Sequence, residues 1–404
     1  MRNVQQDIER IDLVREALIK AGLDGVVCGL PQHVLMLSGY FPVVGSSLAI
    51  ATRTGKVGLI VPKDEKRLSD YGWADHVETF EPGSLKELTS AVSEVMEPLK
   101  RTCRKFGLTR GLIGLEAGPT FEPASYVAGH FYLGALRHVL TEAVPKAKLS
   151  SAHHALMQLR AVLTTSERER LRVACKVAQR AFEHGARLIR PGQMETEIAG
   201  LFTAPLRIEG MKEKGVRRAG GEAFCMSGPN SAEASGAFAQ SRSRTVMCGD
   251  MLLIHCNSHV DGYWTDITRT YILGEPNRRQ RKIYDAIFAA RTAAFAAIRT
   301  GVTGAQVDDA ARSVLSLRGF TKEFRHGLGH GVGLAAINHN ARPRLHPKSL
   351  DRLRPGMVFN VEPAVYISGF GGARHCDVVA VTQTGAELLT PFCTSPNELW
   401  LSHV

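Results

Sequence analysis

The stretch from Gly249 to Tyr271, GDMLLIHCNSHVDGYWTDITRTY, constrains this chain more than any other. A turn at Gly249-Asp250 leads into the apolar run Met251–Ile254, which reads as a buried strand. His255, Cys256 and Asn257 follow, Asp261-Gly262 is a hairpin-turn dipeptide, and a second strand carries Asp266 between Thr265 and Ile267. A carboxylate set among β-forming residues in a buried hairpin is costly unless something pairs it. A metal ion or an arginine can do so, and Arg269 stands three positions further on. These residues alone leave a plain Asp266–Arg269 pair and a metal site both open.

The chain has 404 residues, more than one ordinary core organises, so two domains are expected. Its 44% apolar and 22% charged residues are those of a soluble globular protein. No run of eighteen apolar residues occurs and the start, MRNVQQDIER, lacks an apolar signal core, so no membrane span and a cytoplasmic location are expected. The eight cysteines show no CxxC spacing and are expected as free thiols; the single CxxH, Cys256 to His259, has no second pair at zinc-finger distance. The net charge of +11 invites a nucleic-acid reading. The basic clusters at 101–105 (RTCRK) and 278–282 (RRQRK) are short and carry no interleaved aromatics, so they read as solvated faces rather than a nucleic-acid site.

Along the first part, Ile8, Ile11, Val14 and Leu18 lie on one face of a helix over 8–21 that Gly22 ends. Strands are expected at 26–28, 47–52, 57–61 and 111–115, and helices at about 84–99 and 126–136, which makes a compact α/β domain with no catalytic constellation. A capping signal at Thr164–Glu167 precedes a long amphipathic helix to about Leu188, Pro191-Gly192 stops it, and a second helix runs from about Glu195 to Glu209. Residues 186–211 and 296–320 then match in helix, Gly, helix, Gly order, with Gly192 to Gly210 and Gly301 to Gly319 both eighteen apart. Two such halves suggest a duplicated fold with a pseudo-two-fold axis and a site where the halves meet, although two unrelated helix pairs would give the same pattern.

Three segments of the second part carry the candidate site residues. The first is the opening hairpin with Asp266. The second is 324–339, FRHGLGHGVGLAAINH, with His326, His330 and His339 among glycines that let backbones approach closely. The third is 356–377, GMVFNVEPAVYISGFGGARHCD, with Glu362 ending an apolar strand and Arg374, His375, Cys376 and Asp377 following. Asp266, His330 and Glu362 form a carboxylate–imidazole set suited to Mn²⁺, Fe²⁺, Co²⁺ or Zn²⁺, and such an ion can acidify a bound water.

The motifs TDITRTY, HGLGHGVGL and MVFNVEPAVY, with GGARHCDVVAVTQTGAELLT, resemble those of the creatinase/prolidase peptidase family, M24. The resemblance implies an α+β chain: a creatinase/prolidase-type α/β domain over 1–160 and a catalytic domain of the pita-bread fold over 161–404. It also implies a homodimer and a small-molecule or short peptide substrate. The family's dinuclear members use the ligands Asp, Asp, His, Glu and Glu. By spacing, the second Asp is Asp266, the His is His330 and the first Glu is Glu362, whereas the first Asp position holds His255 and the last Glu position holds Cys376. The substrate-region His expected after SGPNSA is replaced by Ser235 or Gly236. His326 matches a family histidine, His339 takes the second catalytic histidine's role if two residues are inserted, and Arg374 and Tyr366 match substrate-binding positions.

Replacing two carboxylates by His255 and Cys376 leaves two hard divalent ions poorly neutralised. A single Zn²⁺ or Fe²⁺ held by some of His255, Asp266, His330, Glu362 and Cys376 is the expected cofactor, with none if the centre is creatinase-like. In the metal-free case Cys376 is either a nucleophile activated by His255 or His375, or a small buried residue filling the lost carboxylate's place. The resulting expectation is a hydrolase of an amide, peptide or other C–N bond, Xaa-Pro peptidase-like by resemblance, with Glu362 as general base. A metal-free hydrolase or lyase and a non-catalytic binding protein are the rival readings.

Overall fold

The structure is a computed structural model that describes residues 6–83, 85–86, 88–116, 132, 134–235, 240–334, 338 and 340–402. The chain divides into two compact units, Met1–Arg160 with Thr164–Ser166, and Ala161–Leu163 with Glu167–Val404. Among the described residues no helix is long and apolar enough to cross a membrane.

The first unit is built on a six-stranded sheet. Its strands are β1 (Gly25–Cys28), β2 (Leu48–Thr52), β3 (Val57–Pro62), β4 (His76–Phe80), β5 (Leu112–Leu115) and β6 (Lys148–Ser151), in the order β4-β3-β2-β1-β5-β6. The helices are α1 (Ile8–Lys20), α2 (Pro31–Ser38), α3 (Lys66–Ser69), α4 (Ala91–Glu94), α5 (Met96–Lys105), α6 (Leu136–Ala143) and α7 (His153–Arg160). Val27, Leu48, Ile50 and Ile60 of the sheet pack with Leu99 and Cys103 of α5 and Val139 and Leu140 of α6.

Sequence expectation and structure differ here in three places. On α1 Val14 and Leu18 are buried as expected, but Ile8 is exposed and Arg10 is fully buried and donates to the Leu159 carbonyl at 3.0 Å. The helix expected over 84–99 starts only at Ala91, where Ser90 caps it, and continues to Lys105. The helix expected near 126–136 falls largely outside the described residues; the described helix there is α6, from Leu136.

The second unit opens with α8 (Thr165–Leu188) and α9 (Glu195–Lys212), followed by β7 (Ala219–Ser227), β8 (Met251–Val260) and β9 (Tyr263–Leu273). A second helix pair, α10 (Arg278–Ala297) and α11 (Gly304–Leu317), precedes β10 (Val358–Val361), β11 (Ala364–Ile367), β12 (Gly371–Arg374), β13 (Asp377–Val381) and β14 (Ala386–Leu388); β15 (Trp400–Leu401) closes the described chain. Each half is thus a helix pair followed by strands, as the repeat implied. The matched glycines Gly192 and Gly301 both hold φ at 89°, a left-handed turn that an L side chain rarely adopts.

The hairpin is as the alternation predicted. β8 and β9 pair antiparallel, with His255 opposite Thr268, Asn257 opposite Asp266 and Ile254 opposite Arg269. Positions 266 and 269 therefore point to opposite faces. Arg269 does not pair with Asp266. Its guanidinium reaches Asp377 at 2.7 Å, with both side chains fully buried, and also donates to the carbonyls of Cys376, Thr390 and Phe392. Arg269 ties β9 to the segment around β13, and Asp266 is left facing the other way.

Candidate functional site

The glycine-rich segment brings His330 onto β10 by backbone contact. A Cβ at Gly329 would lie 1.9 Å from the Asn360 carbonyl oxygen, and one at Gly331 would lie 2.1 Å from the Arg342 carbonyl oxygen, so only glycine fits this approach. The Asn360 amide N–H donates to the His330 carbonyl at 3.0 Å and the Glu362 N–H to the Leu328 carbonyl at 2.8 Å. The segment thus adds itself alongside β10, next to the face of β8–β9 that carries Asp266.

Asp266 is the hub of the centre. Its Oδ2 lies 3.5 Å from His330 Nε2 and 3.3 Å from Asn360 Nδ2, and its Oδ1 lies 3.6 Å from His255 Nδ1. Burial pushes this carboxyl up, but His330, His255 and Arg374 outweigh it and hold the group well below the usual carboxylate range. The opposing cause wins at Glu362. Burial raises its pKa to about 7 with Asp266 adding to the shift, against the lowering effect of Arg374, whose Nε stands 3.8 Å from Glu362 Oε2. Two neighbouring carboxyls are therefore driven apart, one fixed as an anion and the other poised near neutrality.

Arg374 Nε also donates to Thr268 Oγ1 at 3.0 Å, and its side chain hydrogen-bonds Tyr366. The Tyr366 hydroxyl, which burial pushes up to about 12, lies 3.0 Å from His326 Nε2. His326 Nδ1 faces the Gly327 carbonyl at 2.8 Å, so Nδ1 carries a proton and Nε2 is the nitrogen turned to the tyrosine. His326, Tyr366, Arg374 and Glu362 form one connected chain. His339 and Gly236 lie outside the described residues.

Cys376 is fully buried and its thiol points to the Asp266 carbonyl at 3.2 Å. Burial pushes its pKa up, and Asp266 and Glu362 add to the shift, the opposite of what a nucleophilic thiolate needs. His375 is no activator for it. That ring packs tilted against Phe288 with ring centroids 4.8 Å apart, lies 3.5 Å from Asp377, and is driven down to about 4 by burial. The geometry matches the small buried residue weighed for Cys376 from sequence.

Two asparagines take part that the sequence reading passed over. Asn257 Nδ2 donates to His255 Nε2 at 2.8 Å, and His255 Nδ1 faces Thr268 Oγ1 at 3.1 Å. Asn360 Oδ1 accepts the His330 backbone N–H at 2.6 Å, which fixes the amide's orientation and leaves Nδ2 to face Asp266, His330 and Glu362. The period of two held the signal: Asn257 shares a strand face with His255, and Asn360 with Glu362.

Ligand atoms held at about 2.0–2.3 Å by one ion lie no more than about 4.6 Å apart. No three of His255, Asp266, His330, Glu362 and Cys376 bring such atoms within 4.8 Å of one another, whereas Cys28, His33 and Glu116 of the first unit do. In that group Glu116 accepts the N–H groups of Gly29 at 2.8 Å and Leu30 at 3.0 Å and meets His33 Nδ1 at 2.5 Å, at the start of α2, while His33 Nε2 is buried without a hydrogen-bond partner. The candidate centre, in this arrangement of its donors, does not fit a resident metal ion.

A duplicated helix-pair-and-sheet unit with a buried carboxylate–imidazole–guanidinium centre defines a hydrolase of the pita-bread type, and solved structures of that fold match. One is the prolidase from Pyrococcus horikoshii, 25% identical over 95% of this chain and 98% of that one, with a TM-score of 0.74. Another is the X-Pro aminopeptidase from Thermotoga maritima, 24% identical over 94% and 99%, with a TM-score of 0.76. The chain belongs to metallopeptidase family M24, whose profile matches residues 169–383, and M24 enzymes are hydrolases that characteristically use divalent metals. Among curated relatives, an uncharacterized peptidase, YqhT, of Bacillus subtilis is 25% identical over 96% of this chain and 99% of its own length. An Xaa-Pro dipeptidase of Pyrococcus furiosus is 33% identical over 58% of this chain and 64% of its own length.

Proposed function

We propose that this chain hydrolyses an amide, peptide or other C–N bond in a small molecule or short peptide, with Glu362 as general base. The observation that carries the reading is Glu362 itself: 6% exposed, raised to about 7, and 3.8 Å from Arg374. A buried carboxyl titrating near neutrality can take a proton from water and return it to a leaving nitrogen. Arg374 places positive charge beside it, where oxygen charge develops as water adds to the carbonyl. Tyr366 and Arg374 hold His326 and Glu362 in register, and His326, half-buried, is the member of this chain best placed to meet substrate. Asp266 stays ionised beside His330 and favours the protonated form of that ring, which gives the centre a second proton store.

The naming of two of the relatives as Xaa-Pro dipeptidase and X-Pro aminopeptidase supports Xaa-Pro peptides as the first substrates to try. The test is turnover of a panel of Xaa-Pro dipeptides and small amides, with release of amine as the signal. Glu362→Gln is expected to lower kcat by about 10²–10⁴. Hydrolysis that survives this substitution would rule out Glu362 as the base.

A further inference from the structure

We infer that the Asn360 side-chain amide occupies the place of a cation in this centre, so that the enzyme works without a resident metal ion although its family is a metallopeptidase family. The inference rests on the hydrolytic reading only for where the chemistry takes place.

Two carboxyls and an imidazole surround Asn360 Nδ2. Asp266 Oδ2 lies at 3.3 Å, His330 Nε2 at 3.4 Å, and the Glu362 carboxyl is also hydrogen-bonded by this side chain. His330 Nδ1 faces the Gly331 carbonyl at 3.1 Å, an acceptor without a proton, so Nδ1 carries a proton and Nε2 is the nitrogen turned to Asp266 and Asn360. Asp266 Oδ2 and His330 Nε2 stand 3.5 Å apart with the Asn360 amide beside both, the place a shared cation would take. The N–H groups of Asn360 present positive hydrogens to that place. The amide cannot turn away, because its Oδ1 is held by the His330 backbone N–H at 2.6 Å.

The other half of the centre is closed in the same way. His255 has Nε2 capped by Asn257 at 2.8 Å and Nδ1 directed at Thr268 and Asp266, so neither nitrogen offers a free lone pair to an ion. The Cys376 thiol is hydrogen-bonded to the Asp266 carbonyl at 3.2 Å. A metal would have to displace two asparagine amides and draw together ligand atoms that do not now converge.

The experiment is titration of chelator-dialysed full-length protein with Co²⁺ and with Zn²⁺, read by calorimetry and by Co²⁺ visible absorption, beside elemental analysis of the protein as purified. Expected are no stoichiometric metal in the centre, no Co²⁺ spectrum, and hydrolytic turnover unchanged by the chelator. Asn360→Ser combined with His255→Asp and Cys376→Glu is expected to gain Co²⁺ binding at least tenfold tighter than the parent. Metal that persists in His330→Ala and disappears in Cys28→Ser would sit at the Glu116 cluster and supports the inference. Stoichiometric binding to the parent that is lost in either His330→Ala or Asp266→Asn overturns it, and the parent's own titration decides even if those variants fold poorly. If no C–N substrate is turned over, the functional proposal fails while the metal titration still reads this inference on its own.

Discussion

Glu362→Gln should weaken the enzyme and strengthen the fold at once, and the second effect can be worked from the structure. The Glu362 carboxyl moves from its ordinary 4.5 to about 7 on folding, with burial as the leading cause. Each tenfold change in a proton equilibrium is about 1.4 kcal/mol, so an ionised Glu362 costs the folded state at most about 3 kcal/mol at pH 8. The sign follows from the direction of the shift. The folded protein holds this proton more tightly than the unfolded chain, so the penalty is absent below about 4.5, grows as the pH rises toward about 7, and is then constant. Glutamine resembles the protonated acid and never ionises. Urea unfolding of parent and variant at pH 5 and pH 8 reads the difference. The variant should be the more stable at pH 8, by up to about 3 kcal/mol, and nearly equal at pH 5. A variant that is less stable at pH 8, or whose advantage does not depend on pH, would refute the reasoning, because it would mean Glu362 is held as an anion by Arg374 for structural reasons.

Other outcomes follow from the same geometry. Turnover should rise with pH through about 7 as Glu362 loses its proton, and a pH–rate profile of kcat flat across that range would count against the assignment. Arg269→Met should cost about 3–5 kcal/mol in a urea titration, because it strips a buried Asp377 of one of its two arginines and leaves four carbonyls without that donor. Gly329→Ala should lower both stability and turnover, since its methyl would meet the Asn360 oxygen at 1.9 Å and push His330 off β10. Unchanged melting and unchanged kcat in that variant would mean the segment has room to move.

Much of this was legible in the residues. The β8–β9 hairpin announced itself by alternation and by Asp261-Gly262, and Asp261 does sit at a positive φ of 48° in that turn. Asp266, His330 and Glu362 fall in one neighbourhood because their motifs lie on adjacent strands or strand-like segments. Long-range partners were not legible. Arg269 is three residues from Asp266 but 108 from Asp377, and strand parity, not sequence distance, decides which it meets. The site asparagines were missed because a neutral amide signals no particular chemistry until its neighbours are known. On α1 the expected face holds at Val14 and Leu18 and fails at Ile8, because apolar spacing does not show that Arg10 is buried, with the Leu159 carbonyl among its acceptors.

The hairpin has a reverse and an obverse. One side of β8–β9 presents His255, Asn257, Asp266 and Thr268, while the other sends Arg269 to Asp377 and four carbonyls. Because neighbouring positions along a strand belong to different sides, exchanges at 255 or 257 leave the clasp beneath them untouched. A chain wired in this manner can have its chemistry rewritten one position at a time while its architecture is inherited whole.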